Sequence, residues 1–196
     1  MKRLLDVVGA AAGLLLLSPL LLGLALLVRV TSGAPVLFRQ VRVGRGGRDF
    51  TLYKFRSMTV CRAAERGTFD AGRSARVTPV GRLLRRTKLD ELPQLWNVLR
   101  GDMSLVGPRP EVRKWVEAYP ERWARVLAVR PGLTDPASIV YRREEELLAA
   151  ATDPERAYRE DVLPAKLDLY EAYVRAHGVG RDLVILWKTV GAVVWR

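Results

Sequence analysis

The segment LLLLSPLLLGLALL, Leu14 to Leu27, restricts the fold of this chain more than any other stretch. It sits inside 22 uncharged residues, Val7 to Val28. At about 1.5 Å per residue that is enough helix to cross a hydrocarbon core of ~30 Å. Pro19 interrupts it. Proline has no N–H, so in a continuous helix the carbonyl of Leu15 loses its partner and the ring crowds it, kinking the helix. Ser18 offers partial repair, because its hydroxyl can bond back to the carbonyl of Leu14. About 14 helical residues precede the break and about nine follow it, roughly 21 Å and 13 Å, so neither arm spans alone. A cleaved signal peptide fits poorly, since Arg29 follows without a small-x-small cleavage pattern. Lys2 and Arg3 precede the segment, and Arg29, Arg39, Arg42, Arg45 and Arg48 follow it. Both flanks therefore carry the positive charge that favours the cytoplasmic side. A hairpin re-entering at Ser18-Pro19 keeps both ends there, whereas a kinked span, the alternative, strands one of them outside.

With 196 residues and 49% apolar content, the chain can bury one core beside that segment. The expected division is a membrane hairpin over 1–30 and a membrane-associated domain over 31–196. Lone Cys61 excludes an internal disulfide, and one Cys with one His177 cannot build a Cys/His zinc site, so any metal must sit on oxygen ligands. The net charge of +12 is concentrated early: residues 1–110 hold 19 Lys and Arg against 7 Asp and Glu, and 111–196 hold 14 against 14. Such a surface suits anionic lipid, phosphorylated substrates or nucleic acid, although a solvated face is the plainer reading of scattered arginines.

After Gly33 the pattern alternates. VLFRQVRV, GRGG and DFTLYKFRSM read as a β-hairpin around a glycine turn, and neither GxGxxG nor GxxxxGK[ST] is present. Residues 61–77 read as a polar loop. Thr78-Pro79 reads as an N-cap with proline at N1, opening a basic amphipathic helix with Val80, Leu83 and Leu84 on one side. A second helix from Pro93 to Gly101 is expected to bury Leu95, Trp96 and Leu99. Helical spacing continues from Glu111 to Val129, with Trp115, Val116, Trp123 and Leu127 as core or interface residues, then from Arg143 to Ala151 and from Pro154 to His177. DLVILWKTVGAVVWR suits either a membrane interface or packing against the domain.

Asp90-Glu91 stand out in the basic string RRTKLDELPQLWNVL. Arg85, Arg86 and Lys88 are expected to keep both ionised, as a nucleophile or Mg²⁺ ligand requires. Helix neighbours do not face each other, which favours separate tasks for the two acids, and simple capping of the helix after Pro93 is the plainer alternative. Arg109, between Pro108 and Pro110, is a rigidly presented donor suited to a phosphate or a uracil edge. Lys54 and Arg56, two apart on one strand face, could also meet a diphosphate.

Together the broken apolar segment and the strings LFRQVRVG, YKFRSM, VTPVGRLLRRTKLDELPQLWNVLRGDMSLVGPRPE and VRPGLT resemble the bacterial sugar transferase family, the monotopic phosphoglycosyl transferases, over essentially the whole chain. The resemblance implies an α+β, mostly helical fold with a re-entrant membrane helix-break-helix at Ser18 and Pro19, a small β-hairpin or sheet and amphipathic interfacial helices. It implies transfer of a sugar 1-phosphate from a UDP-sugar to polyprenol phosphate, with release of UMP, at the cytoplasmic face of the bacterial inner membrane among its phospholipids. The pathway expected is exopolysaccharide or other glycoconjugate assembly. Asp90 is then the nucleophile that carries a covalent phospho-sugar and a ligand of the required Mg²⁺, and Glu91 an acid/base or metal-assisting candidate. Lys54, Arg56, Arg86, Arg109 and Arg130, with Pro108 and Pro110, are the candidate substrate-binding residues. No nucleic-acid partner is expected, and a homodimer is compatible. A non-catalytic membrane scaffold and a membrane-tethered nucleic-acid binder are the rival classes. RPGLTDPASIVYRREEE departs from the family's usual Gly-aromatic and Ala-Gln sequence at Asp135-Pro136 and Ser138, which leaves the sugar open.

Overall fold

The computed structural model describes residues 1–60 and 76–194. Helices α1 (Lys2–Leu16) and α2 (Ser18–Ser32) meet at the serine-proline step with a bend of 63°. The Ser18 hydroxyl donates to Leu15 O at 2.7 Å, not to Leu14 O as expected. Leu15 O is the carbonyl that Pro19 deprives of a partner, so the shorter reach repairs the break directly. Each arm has 15 residues, which makes the second longer than expected. Its extra turn is held by Arg56, whose guanidinium donates to Ser32 O, to Gly33 O at 2.6 Å and to Ala34 O at 2.7 Å, carbonyls a helix end otherwise leaves open. Among the described residues no single helix is long and apolar enough to cross a membrane; the bent pair passes that test together, by length and composition.

Strands β1 (Leu37–Val43) and β2 (Asp49–Phe55) form the expected antiparallel hairpin, in register from Leu37 opposite Phe55 to Val43 opposite Asp49. Gly46 and Gly47 turn the chain between them at φ 68° and 77°, a backbone region that costs glycine nothing. Opposed residues share a face, so Phe38, Gln40 and Arg42 stand with Lys54, Leu52 and Phe50 on one side of the hairpin. The loop expected over 61–77 lies mostly outside the described residues; its end pairs back through Thr59 N to Arg76 O at 2.9 Å and a bridge between Met58 and Val77. Helix α3 (Pro79–Thr87) carries the expected cap, with Gly81 N donating to the Thr78 hydroxyl at 2.9 Å. Leu84 is buried on it, but Leu83 faces outward.

A 3₁₀ turn (Leu89–Glu91) leads into α4 (Gln94–Arg100), which ends at Gly101 as expected. Trp96 is 49% exposed, and Asn97 and Val98 take the buried positions. Asn97 is held by tertiary bonds, donating to Thr51 O at 2.7 Å and accepting from Tyr53 N at 3.2 Å. Strand β3 (Ser104–Val106) pairs in parallel with β4 (Gly132–Thr134), a crossover with no counterpart in the sequence-based expectations. The helix expected over 111–129 is two, α5 (Arg113–Ala118) and α6 (Pro120–Val126), because Pro120 cannot continue the first but suits the first turn of the second. Trp115, Val116, Trp123 and Leu127 are core residues as expected. Helix α7 (Pro136–Val140) is capped by Asp135, which accepts from Ser138 N at 2.8 Å. Helix α8 (Glu144–Ala150) follows, then α9 (Pro154–Ala157), a π turn (Tyr158–Val162) and α10 (Leu163–Arg175) along the expected 154–177 stretch. Helix α11 (Val179–Val194) buries Ile185 and exposes Leu183, Val184, Trp187 and Val190, so one face packs and another is open.

The N-terminal helices pack against the rest of the chain. Ala10 of α1 joins Leu52, Leu95, Val98 and Met103 in one apolar cluster, and Leu24 and Val28 of α2 join Phe55 and Leu84 in another. Polar bonds tie the start of α1 to the same body. Arg3 donates to Val98 O and Leu99 O at 2.7 and 3.0 Å, and the buried Asp6 accepts from the Ser104 hydroxyl and Leu105 N at 2.9 and 3.0 Å. Lys2 reaches Val106 O at 3.0 Å and pairs with Asp182 of α11.

Candidate active site

Lys88 closes α3 in the left-handed conformation, φ 59°, and turns the chain into the 3₁₀ segment that carries Asp90 and Glu91. Both acids are buried, at 6% and 8% exposure. Neither caps the following helix: its N-cap is Pro93, and no side chain bonds its first turn.

Glu91 is engaged on both oxygens. Arg109 meets it in a two-pronged pair, Nη2 to Oε1 at 2.6 Å and Nη1 to Oε2 at 3.2 Å, and Lys54 Nζ lies 3.4 Å from Oε1. Arg109 comes from the loop after β3, which is fixed through Gly132 N to Pro108 O at 2.9 Å and Arg42 Nη1 to Pro110 O at 3.0 Å. Lys54 comes from β2. Burial works to raise the Glu91 carboxyl, but Arg109 and Lys54 outweigh it and hold the group well below the usual range. The same burial pulls the Lys54 ammonium down to about 8 against the opposing pull of Glu91.

Asp90 differs. Its Oδ1 is buried and has no hydrogen-bond partner among the described residues. Burial pushes its carboxyl up, and Lys54, ahead of Lys88 and Arg85, pulls against that rise. Lys88 lowers both carboxyls and Arg85 that of Asp90, as expected of this basic string, but the larger charges are Arg109 and Lys54 for Glu91 and Lys54 for Asp90, where burial still leaves the carboxyl raised. Arg85 is paired with Glu145, and Arg86 is exposed on α3 without a hydrogen bond to either acid.

Of the expected binding residues, the structure brings Lys54 and Arg109 to Glu91, and Pro108 and Pro110 flank Arg109 with their carbonyls held by Gly132 N and Arg42. Arg56 lies just past β2 and is spent on the end of α2, and Arg130 donates to Gly101 O at 2.9 Å. Arg42 is absent from the sequence-based candidates, although the hairpin register, which sets it on the face of Lys54, carries the signal. One acid is thus pinned between two cations, and its neighbour carries a buried oxygen without a hydrogen-bond partner among the described residues. Among the described residues no group of three or more His, Cys, Asp or Glu forms a metal cluster. Mg²⁺ usually takes one or two protein carboxylates and completes its shell with phosphates and water, and the unpartnered Asp90 oxygen fits that habit.

A family profile described as bacterial sugar transferase matches residues 1–196. A UDP-glucose:undecaprenyl-phosphate glucose-1-phosphate transferase of Caulobacter vibrioides is 43% identical over 98% of this chain and 69% of its own. A UDP-N-acetylgalactosamine-undecaprenyl-phosphate N-acetylgalactosaminephosphotransferase of Aeromonas hydrophila is 38% identical over 98% of this chain. A UDP-galactose-lipid carrier transferase of Erwinia amylovora is 36% identical over 100% of this chain. The chain spans only 43% and 41% of the last two proteins. Three relatives carry three sugars in their names.

Proposed function

The chain belongs to the bacterial sugar transferase family, and on that premise we propose that it moves a sugar 1-phosphate from a UDP-sugar to undecaprenyl phosphate by way of Asp90. In the first half-reaction a carboxylate oxygen of Asp90 bonds to the sugar-bearing phosphorus while the P–O bond to UMP breaks, the electron pair leaving with UMP. In the second, a phosphate oxygen of the lipid attacks that phosphorus, the bond to Asp90 breaks, and the carboxylate is restored. A covalent carrier lets a water-soluble donor and a lipid acceptor use one site in turn.

The unequal state of the two buried acids carries this reading. Glu91 has both oxygens bonded, and Asp90 Oδ1 has no hydrogen-bond partner among the described residues. Glu91 accordingly orients Arg109 and Lys54, the cations that meet an anionic diphosphate, and Asp90 faces the reactant. Mg²⁺ held by Asp90 and the donor phosphates would neutralise diphosphate charge and favour the ionised aspartate. The hairpin re-enters the inner membrane from its cytoplasmic face and sets the site at the lipid surface; the bonds joining both of its ends to one globular body support that topology.

Incubation with a UDP-sugar and Mg²⁺ but no acceptor, followed by peptide mass spectrometry, should find a sugar phosphate on the peptide holding Asp90. Asp90→Asn should remove the adduct and lower UMP release by roughly three orders of magnitude or more. Turnover without any adduct refutes the covalent route. A panel of UDP-sugars read by UMP release identifies the donor.

A further inference from the structure

The loop that presents Arg109 is clamped from behind. Directly after Pro110, Glu111 lies buried with its carboxylate spread between separate elements. The Tyr158 hydroxyl donates to Oε1 at 2.5 Å, and Arg42 Nη1 and Val112 N donate to Oε2 at 3.2 and 3.0 Å. The same Arg42 nitrogen donates to Pro110 O at 3.0 Å, and Arg42 Nε donates to Gln40 Oε1 at 2.8 Å. One hairpin face therefore holds the Arg109 loop through Arg42 and Glu91 through Lys54. Tyr158 opens the π turn, a distortion often found at functional sites, with its ring edge-on to Trp115 at 5.0 Å and the Lys166 ammonium 5.2 Å from its centroid.

Burying a carboxylate and a guanidinium here is a poor route to stability, since well-packed apolar groups of the same volume do as well or better. Directed bonds fix position instead. We propose that Tyr158 and Arg42 are positioning residues for Arg109: by holding the two oxygens of Glu111, they fix the 108–110 backbone so that the guanidinium meets Glu91 and the donor diphosphate in one geometry. The donor half of this inference rests on the transferase reading; the loop-holding half does not.

The test uses the full chain in lipid nanodiscs, with Tyr158→Phe, Arg42→Lys and the double variant. Initial rates of UMP release across UDP-sugar concentration should show KM raised roughly fivefold in each single variant, with kcat within about twofold, the scale of one weakened charged hydrogen bond. A loss of folded protein would lower kcat and leave KM unmoved. The double variant should raise KM by less than the product of the singles, because both act through Glu111. Amide hydrogen exchange over residues 105–113 should quicken in both singles. Unchanged KM in either folded single variant, or unchanged exchange, overturns the proposal. Arg42→Lys keeps it testable if Tyr158→Phe does not fold. If the wild type releases UMP from no donor, the transferase reading fails and exchange alone decides the loop-holding half.

Discussion

Glu111 shows how a single buried acid sets a pH limit. Burial raises its carboxyl, but Arg42, Lys166 and the Tyr158 hydroxyl together bring it below the usual 4.5. A folded pKa below the unfolded one means that unfolding takes up a proton, so the stabilisation is complete above about pH 4.5 and fades as pH falls through the folded value. Thermal melts of the wild type should therefore decline as the pH falls below about 4.5, and those of Glu111→Gln should decline less, from a lower start, with the two curves converging at the acid end. Parallel curves would show that Glu111 titrates alike in both states. At this scale the sequence exposes Asp90, Glu91 and Arg109, since acids in a basic string and an arginine between prolines are conspicuous. It hides Glu111 and Tyr158, 47 positions apart, which meet only because the π turn packs Tyr158 into the core beside Trp115.

Helix α3 reaches the site through a contact between backbones. A Cβ on Gly81 would lie 1.8 Å from Ser57 O, which no side-chain adjustment relieves. Gly81→Ala should therefore push α3 off the strand end and cost roughly 3 kcal/mol, with the turn carrying Asp90 displaced as well. In α11, a methyl group added at Gly191 would meet nothing within 4 Å, so Gly191→Ala should gain about 0.5–1 kcal/mol of helix propensity. Chemical denaturation measures both, and a Gly81→Ala protein as stable as wild type would show that the close approach does not hold α3. The elements that follow local rules are legible: the Thr78 cap, the glycine turn of the hairpin, the stop at Gly101. Those settled by distant partners are not. Apolarity marks Trp96 as core, yet Asn97 is buried because its amide answers Thr51 O and Tyr53 N. The β3 and β4 pairing, with two helices between the strands, leaves no local signal.

For the whole molecule, the question raised by Ser18-Pro19 turns on where the ends of the hairpin are fastened. Leu4, Val8, Leu15 and Leu16 of α1 and Leu22, Leu26 and Val30 of α2 are exposed, as are Leu183, Val184, Trp187 and Val190 of α11, apolar surface of a kind that marks membrane contact. A span would carry residue 1 to the far side of the bilayer. Doing so would pull Arg3 from Val98 O and Leu99 O and leave Asp6, a buried carboxylate, without the Ser104 and Leu105 donors, at a cost of several kcal/mol. The far end is equally committed, because Arg56, just past β2, holds Ser32 O at the end of α2 and the Gly33 and Ala34 carbonyls that follow it. Lys2 and Arg3, flanking charges in the sequence, thus act as fasteners, and these tertiary bonds support the proposed re-entrant topology as much as the charge asymmetry does. Cysteines placed singly at Met1, 92% exposed, and at Arg48 on the hairpin turn, in a background with Cys61 replaced, should both react with a membrane-impermeant maleimide in inside-out vesicles and neither in intact cells. Labelling of the residue-1 cysteine in intact cells would mean that these bonds are broken in the membrane and that the broken segment spans it.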